Sequence, residues 1–220
     1  MESIKAKAEG PRAGRPPVLT AQERRARILD AAEALFVEVG YVNTTMVRIA
    51  ERAGMSKRTL YETFPDKRDI FTAVVDFQNS VPPLPLIADE DDPRKVLCDT
   101  LLHIAHFLLE PRRIALARLA IAEARSLPDV TQNFFENAYD VLTRMVAERL
   151  ELLMERGQIS IAGTAQSVAD LLLGATLGDA LVRYLGFPDK AEELRNEELS
   201  RRASAAVAMM SSGLGLPPSR

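Results

Sequence analysis

The chain has a single cysteine, Cys98, among 220 residues. One thiol excludes an internal disulfide framework and suits a reducing compartment, so a cytoplasmic location is expected. Apolar runs are scarce as well. The first twelve residues hold no stretch of the kind a secretory signal needs. The most apolar segment, residues 168–185, carries Asp170, Asp179 and Arg183. Those charges are costly in lipid, so no membrane span is expected. A glycine-rich phosphate loop, a nucleophile-elbow pattern and a paired Cys–His signature are all missing, which argues against an enzyme. Cys98 and His103 come nearest, but five residues along a helix turn them to different faces. His103 and His106 are the two histidines, and with Glu110 they share one helical face at i, i+3 and i+7. That spacing is compatible with a metal, yet no further Cys or His exists to complete a soft site. Neither a metal nor a cofactor is expected.

What is present begins with charge placement. The net charge is −3, which by itself does not suggest nucleic acid. The distribution does, because Lys5, Lys7, Arg12, Arg15, Arg24, Arg25 and Arg27 crowd the beginning against Glu2, Glu9 and Glu23. A basic end on an acidic chain is the pattern of a small DNA-binding head, although a solvated basic tail would show the same charges. Residues 1–19, rich in Pro, Gly and charge, read as a disordered basic tail. Within it Gly14-Arg15-Pro16 could follow a narrow minor groove, or be a plain leader.

From Thr20 onward the signals are helical throughout. Thr20 and Glu23 form a capping box, and Ile28, Ala32, Leu35, Phe36 and Val39 fall on one face until Gly40. Further helices are expected from Thr44 or Thr45 to Gly54, from Ser56 to Pro65, and from Asp66 to about Phe77. A proline-rich loop spans residues 80–92. Later helices start at Pro93, at Pro111 (to about Leu127), near Val130 (to Arg156), at Thr164 or Ala165 (to near Gly186) and at about Lys190 (to Met210). No strand pattern exceeds residues 158–162, and there are no repeats. The class is all-α. The expected division is residues 20–77 as a small head, 78–212 as a larger helical domain and 213–220 as a flexible tail.

The informative stretch is T-T-M-V-R-I-A-E-R-A-G-M-S-K-R-T-L-Y-E-T-F-P-D-K, residues 44–67. It reads as a short helix, a glycine-containing turn and a second short helix, a helix-turn-helix. Ala50 is small where the helices must approach, and Gly54 permits the turn. Ser56 caps the second helix at the end that enters a major groove. Lys57, Arg58, Thr59 and Tyr61 supply donors on its exposed face, while Leu60 and Phe64 anchor the other. A helical corner with solvated Tyr and Lys remains the bland alternative.

With G-Y-V-N-T-T before it and R-D-I-F after it, this stretch closely resembles the N-terminal domain of TetR/AcrR-family regulators over residues 20–77. The run A-I-A-E-A-R-S-L-P-D-V at 120–130, with F-F-E-N-A at 134–138, is similar to an AcrR-like subgroup of C-terminal domains. The resemblance implies a ligand-responsive repressor that binds double-stranded operator DNA. It places Thr44 and Thr45 beside a phosphate, Lys57, Arg58 and Thr59 at base edges or phosphates, and Tyr61 and Lys67 at phosphates. Glu62 departs from the family pattern, since relatives usually carry an aromatic or basic residue there, and its role is open.

In the larger domain, small residues among leucines suggest a homodimer interface at Leu173, Gly174, Leu177, Gly178, Leu181, Ala206 and Met209, unless these form an intrachain core. A mostly apolar pocket for a small hydrophobic effector would draw on His103, His106, Arg118, Glu123, Phe134, Phe135, Tyr139 and Met145, each of which could equally be ordinary packing or surface. A helical adaptor or a metal-binding protein with a non-functional helix-turn-helix remains the rival reading.

Overall fold

The computed structural model describes residues 19–78, 82–88, 91–187, 197–211 and 213–215, with ten helices and no strand among them. Residues 1–18, including Gly14-Arg15-Pro16, lie outside the described residues, as does the expected helix start near Lys190. The head is α1 (Ala21–Asn43), α2 (Met46–Arg52), α3 (Lys57–Thr63) and α4 (Lys67–Gln78). The capping box is formed on both sides, with Thr20 N donating to Glu23 and Glu23 N donating to Thr20 Oγ1. The first helix does not stop at Gly40. It kinks there and adds one more turn to Asn43. Phe36, Tyr41 and Phe71 then pack as a trio with centroid separations of 5.2–5.6 Å, which fastens α4 to the kinked end of α1.

The larger part comprises α5 (Pro93–Leu108), α6 (Pro111–Ala122), α7 (Pro128–Glu155), α8 (Ala165–Leu177), α9 (Ala180–Gly186) and α10 (Glu197–Met209). Helix α6 ends at Ala122, not Leu127. The Glu123 carbonyl accepts from Ser126 N and Leu127 N, closing a turn before Pro128. Leu127 is consequently non-helical, as the residue before a proline prefers to be.

The single helix expected up to Gly186 is two helices. Gly178 breaks it at φ +48°, a conformation strained for any residue with a Cβ. Space adds to the demand, because a Cβ there would lie 2.6 Å from Arg202 Nη1. Arg202 in turn bonds Leu177 O, Asp179 and Glu198, locking α10 across the break. Gly178 therefore has an intrachain reason to be small. Beyond α10, Leu214 is buried, and Ser160 N donates to its carbonyl at 3.1 Å, so the chain expected to be flexible from residue 213 begins with a docked turn.

The cores do not respect the expected boundary near residue 77. One cluster joins Ile28, Phe36, Ile49, Leu60 and Phe71 of the head to Leu116, Leu119, Val130 and Phe134 of α6 and α7. A second lies among α5, α7, α8 and α10. Helices α6 and α7 of the larger part thus share a core with the head.

Candidate nucleic-acid interface and ligand cavity

Local signals build the helix-turn-helix. Thr45 caps α2 by accepting from Arg48 N, and Ser56 caps α3 by accepting from Thr59 N at 3.1 Å. Between them Gly54 stands at φ +67°, and Met55 N reaches back to Ala50 O. Ile49, Ala50, Leu60 and Phe64 are buried beneath α2 and α3. Fixing that face leaves Lys57, Arg58 and Tyr61 on the outside, Tyr61 half exposed. Thr59 is partly covered, and its hydroxyl shares a hydrogen bond with Ser56 Oγ.

Glu62 finds a partner in Arg58, whose Nε donates to it at 2.8 Å one turn earlier. Two otherwise exposed charges are thereby held side by side on the face that would meet DNA. The pair raises the Arg58 pKa, chiefly through this hydrogen bond.

Two candidates are used internally. Thr44 is buried, with its hydroxyl donating to Gly40 O at 2.8 Å. The Lys67 ammonium donates to Tyr41 O and Thr44 O at 2.6 and 2.8 Å and lies 4.1 Å from the Tyr41 ring centroid. It closes the C-terminal end of α1, where carbonyls lack helical partners. Burial lowers its pKa, which Glu123 opposes.

In the body, a partly open cavity of about 190 Å³ is lined by α5 to α9. Phe134, Phe135 and Tyr139 line it, together with Phe107, Arg113 and Leu142. So do Leu173, Leu177 and Leu181, which the sequence suggested for a subunit interface. Ala206 is likewise buried within the chain, while Gly174 and Met209 stay exposed. His103, with Nε2 3.4 Å from Pro82 O, and the exposed His106 do not line the cavity. Nor do Glu123, buried beside the head, and Met145, which lines a separate cleft with Leu84 and Arg149. Arg118 lines a more open cleft against Phe36 and Gly40 and donates to Leu185 O. Among the described residues no three His, Cys, Asp or Glu side chains gather as a metal would require. Burial pushes the Cys98 thiol pKa up, which makes it a poor nucleophile.

The bacterial tetR-family regulatory protein model matches residues 28–74, and the AefR-like transcriptional repressor C-terminal domain model matches residues 95–212. The chain belongs to the TetR family. It is 28% identical to the uncharacterized HTH-type transcriptional regulator YvkB of Bacillus subtilis over 81% of this chain and 92% of that one. It is 27% identical to the regulator UidR of Escherichia coli over 86% and 90% of the two chains. A putative TetR-family regulator from Mesorhizobium loti superposes with a TM-score of 0.70 at 25% identity, covering 89% and 98% of the two chains. The protein is therefore a transcriptional regulator of a family whose members bind operator DNA as dimers and are typically ligand-responsive repressors.

In this TetR-family chain no sequence motif marks Arg112 and Arg113 as functional. Both stand in the first turn of α6, where positive charge opposes the helix dipole and so needs a local partner. Arg112 clasps the Glu33 carboxylate of α1 with two nitrogens, Nη2 at 2.6 Å, and Glu33 is almost wholly buried. Arg113 turns the other way, into the cavity. Arg68 of α4 and Asp129 of α7 form a second ion pair between head and body. Basic residues opening a helix were the available signal, and only the tertiary fold shows what they meet.

Proposed function

We propose that this regulator binds a palindromic operator in double-stranded DNA as a homodimer in the cytoplasm, represses from it, and is released by a small, largely apolar effector. The observation that carries the reading is α3, capped by Ser56 and locked from behind by Leu60 and Phe64, so that Lys57, Arg58 and Tyr61 stand outward together. That is the arrangement of a helix presented to a major groove. Thr45, exposed at the start of α2, adds a hydroxyl for a flanking phosphate. The dimer surface would be the exposed side of α8 and α10, where Leu171, Gly174, Ala175, Ala205 and Met209 remain uncovered. The apolar cavity is the effector site. Its wall includes α6, which also carries the Arg112 link to α1, so occupancy can bias the position of the head.

Selection of bound sequences from random double-stranded DNA tests this reading. A palindromic motif is expected, with affinity falling steeply as salt rises. Absence of any enriched motif from a folded dimer refutes it.

A further inference from the structure

The cavity is nearly all hydrocarbon, with one cation set into its wall. Phe107, Phe134, Phe135 and leucines from α7, α8 and α9 supply the lining, and Arg113 is the charged side chain among them. Its guanidinium carbon sits over the Phe107 ring, 3.3 Å from the centroid. A guanidinium held over an aromatic face can still donate from its N–H groups. The edge is not saturated. Arg113 Nε is buried and has no hydrogen-bond partner. Glu110 forms an ion pair with this same Nε, its Oε2 3.4 Å away without hydrogen-bond geometry, and half of the Glu110 side chain is in solvent. Burial lowers the Arg113 pKa, with Glu110 opposing, yet a guanidinium stays charged in proteins. A buried donor without an acceptor costs free energy that a ligand can recover. The other polar candidate, Tyr139, is turned toward Asp170, which helps raise its pKa after burial does so. Tyr139 thus contributes its ring rather than a second anion-binding group.

We propose that the effector is an aromatic or otherwise compact apolar carboxylate whose head group docks on Arg113 and whose body fills the space between α6, α7 and α8. This inference rests on reading the cavity as the effector site. The size is consistent, because about 190 Å³ is roughly six waters' worth of liquid volume, suited to a body of one or two rings. Placement beside Arg112 gives the contact a purpose. A carboxylate drawn to residue 113 acts on the same helical turn that grips Glu33 of the head.

The test compares 2-naphthoate with its neutral, same-shaped carboxamide by calorimetric titration of the full chain. Wild type is expected to prefer the acid by about tenfold or more, the scale of a charge-assisted hydrogen bond. Arg113→Gln should erase that preference while leaving affinity for the amide, and Ala138→Trp, which fills the cavity from α7, should weaken both ligands. Equal affinities in wild type, both blocked by Ala138→Trp, overturn the carboxylate inference but keep the cavity as a ligand site. Binding of neither compound overturns both. The acid–amide comparison in wild type needs no variant to fold, and a preference that survives Arg113→Gln also counts against the proposal.

Discussion

The head and the sensing body are built by different kinds of information. Every residue of the helix-turn-helix lies within 24 consecutive positions, and its caps, turn glycine and buried pairs act over a few residues. The cavity draws on five helices spread over residues 107–185. The proposed DNA-reading surface is therefore locally built, whereas the proposed effector cavity depends on packing between distant segments.

Several substitutions would sharpen or break that contrast. Leu60→Ala empties a fully buried position in the core shared by head and body. We expect a loss of about 2–5 kcal/mol, seen in chemical denaturation as one transition and not as separate melting of the head. Two well-separated transitions would break the comparison in favour of independent domains. Next is Arg112→Met, which leaves the nearly buried Glu33 carboxylate without its two-nitrogen clasp. Half of the Arg112 side chain is solvent-exposed, so the cost should be about 1–3 kcal/mol rather than that of a deeply buried pair. Operator binding should remain while its response to effector weakens, as measured by titrating DNA affinity with and without ligand.

Arg58→Ala should leave thermal stability almost unchanged, because the side chain is exposed and its ion pair with Glu62 is exposed too. It should cost about 1–3 kcal/mol of discrimination among operator sequences if Arg58 reads guanine. Equal losses on all sequences would assign Arg58 to phosphate instead. Ser56→Ala removes the α3 cap and should cost about 1 kcal/mol, checked by urea denaturation. The smallest effect concerns pH. The Thr20 backbone and side-chain hydrogen bonds lower the Glu23 pKa. Its contribution is therefore present above the ordinary carboxylate pKa and disappears as pH falls through the lowered one. Amide exchange at the start of α1 should speed up there, while the rest of the head is unaffected.

Most of the head was legible because its physics is short-range. The Thr20–Glu23 box, the Ser56 cap and the Leu60/Phe64 pair are set by spacing alone. Lys67 was not, since its position near DNA in a linear reading says nothing of the carbonyls of Tyr41 and Thr44 waiting at the end of α1. In the body, helix starts at Pro93 and Pro111 could be read directly. The break at Gly178 could not, because it answers to Arg202, 24 residues further on. Among pocket candidates, Phe134, Phe135 and Tyr139 line the cavity, whereas the histidines lie elsewhere on α5. Leu173 shows the difficulty: a leucine beside a small residue looks the same whether it faces a partner chain or a cavity in its own.

The continuity of the first core through α6 and α7 has a consequence for recombination. A crossover placed in the loop after α4 looks like a clean seam, but it would divide one set of interlocking side chains between two parents. A hybrid that keeps this head would have to bring Leu116, Leu119, Val130 and Phe134 with it, or find a body whose second and third helices offer the same relief. Heads of this design travel as a surface plus its mould, and new pairings of operator and effector should arise more readily by changing α3 or the cavity wall than by exchanging whole halves.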